Sequence, residues 1–334
     1  MSDVTKIVSD IKNRNIKPVY FLMGEEPYYI DKISEYIENN VLTEEEKGFN
    51  QMVLYGRDVT INDIIDNAKR FPMMAEYQVI VIKEAQDLVK TIENLVAYVE
   101  NPSPSTVLVL CYKYKTLDKR KKLYKTIKKN GVVFESKKLY ENQTADWIKK
   151  ILAKYNLKIE PKSVLMLIEF LGTNLSKISN ELTKLQVVLP AGSTITPKDI
   201  EDNIGISKDF NNFELRSAIG AKDVVKANRI INYFGKNQKA NHITLTVSLL
   251  NSYFTQILIY HSLKDKSSNS AARALGVNPY FMKDYIVAAK NYPMRKVSKI
   301  IGLIRDADVK AKGVGANGLP AIEILKELIF KIIH

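Results

Sequence analysis

Pro18-Val19-Tyr20-Phe21-Leu22-Met23-Gly24-Glu25-Glu26-Pro27-Tyr28-Tyr29-Ile30-Asp31 is the stretch on which the reading of this chain turns. Five apolar residues follow a proline and run into a glycine, the composition of a short buried strand closed by a turn. Ile30, Ile33 and Ile37 then recur at helical spacing through residues 28–40. A strand, a glycine turn and a helix in that order are the setting of a phosphate-binding loop. There backbone N–H groups cradle phosphate while a lysine and a Ser/Thr hydroxyl serve the phosphates and magnesium. Laid on the pattern G-x-x-x-x-G-K-[ST], the segment keeps Gly24 but carries Tyr29 for the second glycine, Ile30 for the lysine and Asp31 for the hydroxyl residue. Glu25 and Glu26 repel a triphosphate, and Pro27 lacks an N–H that such a cradle needs. The scaffold is that of a nucleotide-binding protein and the chemistry is not, so nucleotide hydrolysis is not expected.

The alternation continues outward from this unit. Val4, Ile7, Val8 and Ile11 mark a helical face before it. Strand-like runs recur at 49–55, 78–82, 106–112 and 132–135, separated by helical stretches near 62–70, 88–99 and 118–129. Five strands with intervening helices predict a mostly parallel sheet with helices on its faces. Glu84, after the apolar run 79–82, reads either as a remnant of a magnesium-site acid or as an exposed charge closing a buried strand. Beyond Tyr140 the pattern turns helical. Trp147, Ile148, Ile151 and Leu152 share one face; a helix opens at Pro161; a third carries Leu175, Ile178, Leu182 and Leu185. Thr196-Pro197-Lys198-Asp199 is an N-cap with proline at the first position and an acid at the third. From Asp209 the helices lengthen, through the apolar region 245–263 to a last one with Ile322, Leu325, Leu328, Ile329 and Ile332 on its buried stripe. The Ser-rich 266–270 and the Gly-rich 312–318 are short enough to be loops.

At about 150 residues per domain, the 334 residues predict two or three domains. A composition 46% hydrophobic and 26% charged is that of a globular protein. The apolar runs 79–82 and 107–111 fall short of the roughly 18 to 20 residues a membrane span needs. The first fifteen residues mix both charge signs without an apolar core, so neither a leader nor a membrane association is expected, and a cytoplasmic location is. The single cysteine, Cys111, excludes an internal disulfide, and His242, His261 and His334 are too scattered for zinc. No Ser/His/Asp set or paired-carboxylate motif is present, so no catalytic residue, metal or cofactor is expected. The net charge of +13 is uneven: −7 over residues 1–112, +9 over 113–138, balanced over 139–205 and +11 over 206–334. Such an excess either attracts polyanions, nucleic acid above all, or is a solvated basic surface.

The degenerate loop, the order of domains and several local motifs together resemble the delta subunit of the bacterial DNA polymerase III clamp loader. The opening strand and Gly24-Glu25-Glu26 are similar to that family's first strand. Gly172-Thr173-Asn174-Leu175, followed by Glu181-Leu182 and Lys184-Leu185, resembles its lid pattern. Ala271-Ala272-Arg273-Ala274-Leu275-Gly276-Val277, continuing into Pro279-Tyr280, resembles a collar motif. The resemblance implies an α/β N-terminal AAA+-like domain of P-loop NTPase type with an inactive nucleotide site (1–140), an all-α lid (141–205) and an all-α C-terminal collar for oligomerisation (206–334). It further implies a subunit without catalysis of its own inside the DNA-directed DNA polymerase holoenzyme. Its partners would be the sliding clamp (the beta subunit), which it binds and opens, the other AAA+ subunits of a hetero-pentamer, and primed DNA. The alternative is a stand-alone basic nucleic-acid-binding protein on an inactive AAA+ scaffold.

The family's clamp-binding element falls on Arg70-Phe71-Pro72-Met73-Met74-Ala75-Glu76-Tyr77-Gln78. Met73 and Met74 match its two apolar wedge positions, more often Leu-Phe or Phe-Phe. Methionine, unbranched and polarizable, suits an irregular apolar pocket. Read from the residues alone, the pair is equally the core of a helix end, and Phe71 is either wedge or helix core. The basic run with Lys119, Arg120, Lys121 and Lys122 sits on a predicted helix closed by Gly131, with Tyr112, Tyr114 and Tyr124 beside it for stacking. It reads as a DNA or partner contact, or as a solvated helix face.

Overall fold

The structure is a computed structural model that describes residues 2–238, 241–315 and 318–334. Ala316 and Asn317 of the Gly-rich run lie outside them. The chain divides into two compact units, residues 1–139 with 174–176, and 140–173 with 177–334.

The first unit is a five-stranded parallel sheet. Its strands are β1 (Val19–Gly24), β2 (Gln51–Tyr55), β3 (Gln78–Lys83), β4 (Thr106–Lys113) and β5 (Val132–Ser136), in the spatial order β2-β3-β4-β1-β5. Register is regular, with Phe21 opposite Leu110 on one side and Val133 on the other. Central strands buried on both faces must be largely apolar, and β1, β3 and β4 are, with Gln78, Lys83, Thr106 and Lys113 only at their ends. Alternate residues feed two cores. Phe21, Met23, Ile80, Ile82, Leu108 and Leu110 pack with α4 (Ile61–Ala68), the short α5 (Val96–Val99) and α6 (Lys122–Asn130). Tyr20, Leu22, Val79, Val81, Val107 and Cys111 pack with α1 (Ser2–Lys12) and α2 (Pro27–Asn40). Three sequence expectations give way here. Phe49 and Asn50 end a helix, α3 (Glu44–Asn50), rather than start a strand. The stretch 88–99, although Leu88, Ile92, Leu95 and Val99 keep helical spacing, forms a 3₁₀ turn at Ile92–Leu95 and the single turn of α5, after another 3₁₀ turn at Ala85–Leu88. The basic helix begins at Lys122, after an Asp118 side chain has turned the chain by accepting from the Arg120 backbone.

The second unit is almost wholly helical: α7 (Glu141–Lys154), α8 (Pro161–Leu171), α9 (Leu175–Val188), α10 (Pro197–Ile204) and then α11 (Asn212–Ala221), α12 (Val224–Lys236), α13 (Ile243–Ser262), α14 (Ser268–Leu275), α15 (Met282–Asn291), α16 (Met294–Ala311) and α17 (Ala321–Ile333). Two two-residue strands, β6 (Lys158–Ile159) and β7 (Thr194–Ile195), pair in parallel, which helical periodicity did not foretell. Thr196 and Asp199 form a reciprocal capping box on α10, and Gly205 closes that helix in the left-handed region at φ 79°. The Ser-rich run is partly helical, since α14 starts at Ser268 and ends on left-handed Gly276. At 20 residues, α13 is long and apolar enough to cross a membrane by length and composition, contrary to the sequence reading. Its Val247, Leu250, Phe254 and Ile257 are buried in the helical core beside α16, which accounts for that apolar character.

Candidate functional site

The first place is the turn after β1. Gly24 has φ 133°, a conformation only glycine adopts readily, and a Cβ on it would lie 2.0 Å from the Ser136 carbonyl oxygen. Glu26, almost fully buried, is the N-cap of α2, and its carboxylate accepts from the Tyr28 N–H at 2.9 Å. Burial raises its pKa, partly offset by that hydrogen bond. The helix N-terminus, with its partial positive charge, is therefore met by the chain's own carboxylate where a phosphate would rest. Ile30 is fully buried in the core and Tyr29 packs against the same cluster. Asp31 accepts an ion pair from Lys113 Nζ at 2.9 Å, and Lys113 also reaches Glu84 at 2.7 Å. Burial opposes the charge on Lys113, but its bonds to Glu84 and Asp31 prevail and hold its pKa above the ordinary lysine value. Burial likewise pushes Glu84 up, and its bonds from Lys113 and Gln86 more than reverse this. Glu84 is thus neither a bare exposed charge nor a free acid. It lies at φ 51° and pins the ends of β3 and β4 to α2 through Lys113. None of Tyr29, Ile30 and Asp31 offers a cation or a hydroxyl donor of the kind a nucleoside triphosphate requires.

The second place is the loop 69–77 between α4 and β3. Its stem is fixed: the Gln78 amide donates to the Arg70 carbonyl and, at 2.8 Å, to Thr106 Oγ1, while Thr106 Oγ1 donates to the Ala68 carbonyl at 2.8 Å. Phe71 and Met73 are 87% and 62% exposed, and Met74 is fully exposed. α4 ends at Ala68, so none of the three is helix core. Met74 sits at φ 54°, in the left-handed region that costs a non-glycine residue about 1 kcal/mol. The Met73 backbone is bound on both sides by one buried side chain: its N–H donates to Asn50 Oδ1 at 2.6 Å, and its carbonyl accepts from Asn50 Nδ2 at 2.9 Å.

The third place is the basic run. Lys119 pairs with Glu135 at 2.8 Å, Arg120 with Asp118 at 2.8 Å, Lys121 with Glu93 at 3.3 Å and Lys122 with Glu100 at 2.6 Å. All four cations remain largely exposed, and exposed pairs of this kind add little to stability. Of the tyrosines expected beside them, Tyr112 is buried against Phe21 in the core and cannot stack on a base, because β4 is covered on both faces. Tyr114 is exposed at φ 61° and Tyr124 packs against the core.

What Asn50, Gln78 and Lys113 bond to is not announced by the sequence, where Gln78 only closes the loop element and Lys113 only opens the basic stretch. Asn50 and Met73 are 23 residues apart, and no periodicity announces an amide that bridges a helix end to a later loop. For Lys113 and Glu84 a signal existed: opposite charges close two adjacent apolar strands.

Taken together, a parallel sheet in the order β2-β3-β4-β1-β5 with a loop after β1 that has lost its phosphate-binding side chains defines an AAA+-like protein with a degenerate P-loop, followed by a helical unit. A family model described as DNA polymerase III, delta subunit matches residues 20–137, and one for the C-terminal domain of that subunit matches residues 209–326. The chain belongs to the DNA polymerase III delta subunit family. It is 26% identical to the DNA polymerase III subunit delta of Bacillus subtilis (strain 168) over 321 residues, 92% of each chain. Among solved structures, the Bacillus subtilis DNA clamp loader delta protein (YqeN) is 23% identical, covers 99% of both chains and superimposes with a TM-score of 0.56, a likeness of fold. A Thermotoga maritima RuvB Holliday junction branch migration motor is 14% identical over 86% of this chain and 87% of its own, with a TM-score of only 0.40.

Proposed function

We propose that this chain binds the DNA sliding clamp and holds it open for loading onto primed DNA, as a clamp-loader subunit that hydrolyses no nucleotide itself. The observation that carries this reading is the tip of the loop 69–77, where Met73 and Met74 stand in solvent on a stem fixed by buried polar side chains. Two flexible apolar side chains held out from a rigid base lack a use in the free chain and suit insertion into an apolar pocket. The absence of catalysis is supported at the loop after β1, where Glu26 caps the helix and Lys113 joins Asp31 and Glu84. A scaffold kept without its chemistry is kept for its shape and surfaces.

In this reading residues 1–140 are the clamp-binding domain, 141–205 a lid and 206–334 a collar that joins the other AAA+ subunits of a hetero-pentamer. The location is cytoplasmic, and any polymerase activity belongs to the holoenzyme. The basic run at Lys119, Arg120, Lys121 and Lys122 is the surface through which a stand-alone nucleic-acid-binding protein would act. Its internal ion pairs and the burial of Tyr112 favour the clamp-loader reading over that alternative. Copurification from cells separates the two. The clamp-loader reading expects a stoichiometric assembly containing other AAA+ subunits and a ring clamp; recovery of DNA alone would refute it.

A further inference from the structure

Phe49, the penultimate residue of α3, is 77% exposed, and nothing in the fold of the free chain uses it. Its neighbour Asn50 is the residue whose amide grips Met73. Adjacent Cα atoms lie 3.8 Å apart, so these bonds place the Phe49 backbone within roughly 10 Å of the Met73 backbone. One apolar group alone on a surface is ordinary, but Phe49 is the chain neighbour of the buried side chain that holds the Met73 backbone, and Phe71 and Met74 are exposed within two residues of Met73. Asn50 itself is buried, and its Nδ2 donates to the Glu46 carbonyl at 3.1 Å as well as to Met73. It thereby closes α3 and anchors the tip at once. The left-handed backbone of Met74 lies one residue past this anchor, a strained conformation that persists where the surroundings dictate it.

We infer that the C-terminal end of α3 is a second half of the docking surface, with Phe49 entering the same partner pocket as the methionines and Asn50 acting as the positioning residue of the tip. This rests on the reading that Met73 and Met74 enter the sliding clamp. The chemistry favours a protein occupant. Large exposed aromatics and methionines are the usual anchors of protein interfaces. Between residues 44 and 76 seven acids face four bases, a balance that repels a polyanion. The partner feature that fits is an apolar pocket wide enough for two thioethers and a phenyl ring.

The test is a titration of the purified sliding clamp with the full chain and its variants, with a thermal melt of each. Phe49→Ala should weaken binding about tenfold with an unchanged melt, and should do so again when added to Met73→Ala/Met74→Ala. Asn50→Ala should weaken binding about tenfold in the wild-type background and add nothing to the methionine double variant, because a positioning residue acts through the side chains it places. Asn50→Asp, nearly the same shape, keeps an acceptor for the Met73 N–H but loses the donor to its carbonyl, and should fall between. If the methionine variant binds weakly while the Phe49 and Asn50 variants bind as wild type, the inference is wrong and the tip acts alone. If the loss from Asn50→Ala persists undiminished without the methionines, Asn50 is not a positioning residue. If the methionine variant itself binds as wild type, it is the underlying reading of the tip that fails.

Discussion

Lys113 ties the start of α2 to the ends of two strands. Its ammonium stands between Asp31 at the start of α2 and Glu84 just past the end of β3, and its own backbone N–H donates to Gln86 at 3.0 Å. Removing it leaves two carboxylates facing each other, so Lys113→Met should cost about 2 kcal/mol at neutral pH. The sign of the pH dependence follows from both partners. The folded pKa of Lys113 is raised, so its contribution is complete below the ordinary lysine value and is lost as pH rises through the raised one. The folded pKa of Glu84 is lowered, so its contribution is complete above the ordinary glutamate value and is lost as pH falls through the lowered one. Denaturant unfolding of wild type and variant across pH should therefore show a gap that is widest in between and narrows at both ends; a gap independent of pH would mean the ion pairs do not stabilise the fold.

At the scale of elements, the parts legible in the sequence were those decided by periodicity. Between their ends the strands β1, β3 and β4 are apolar runs because they are covered on both faces, and the capping box of α10 is local chemistry within four residues. What was not legible depends on long-range polar contacts. Whether Phe71 and the methionines were core or tip could not be decided from spacing, since the answer lies in where α4 stops. It stops at Ala68 because Gln78, from the next strand, and Thr106, from the one after, take up the carbonyls there. Gln78→Leu keeps the volume but removes the amide that donates to the Arg70 carbonyl and, in the buried interior, to Thr106 Oγ1. It should destabilise the first unit by about 1 to 3 kcal/mol, read by thermal or denaturant unfolding. An unchanged midpoint would show that the stem is held by something else.

Along the sequence, the exposed methionine tip and the positive excess fall in different stretches. Residues 1–112 are net −7 and carry the exposed methionine tip, while the positive excess lies in 113–138 and 206–334. This division suits a subunit that meets a protein ring with one surface and polyanion-rich surroundings with others. The proposed tip would bind the clamp without holding up the fold. Two methionines leaving water contribute about 1.5 to 3 kcal/mol each, offset by up to about 2 kcal/mol each for ordering the side chains. Truncating both should cost roughly 2 kcal/mol of binding, about thirtyfold in affinity. The measurement that tests this most directly is a clamp titration of wild type beside Met73→Ala/Met74→Ala, with a thermal melt of each. The account predicts about thirtyfold weaker binding and an unchanged melt, because both side chains are exposed in the free chain; a lowered melt with undiminished clamp affinity per folded molecule would contradict it.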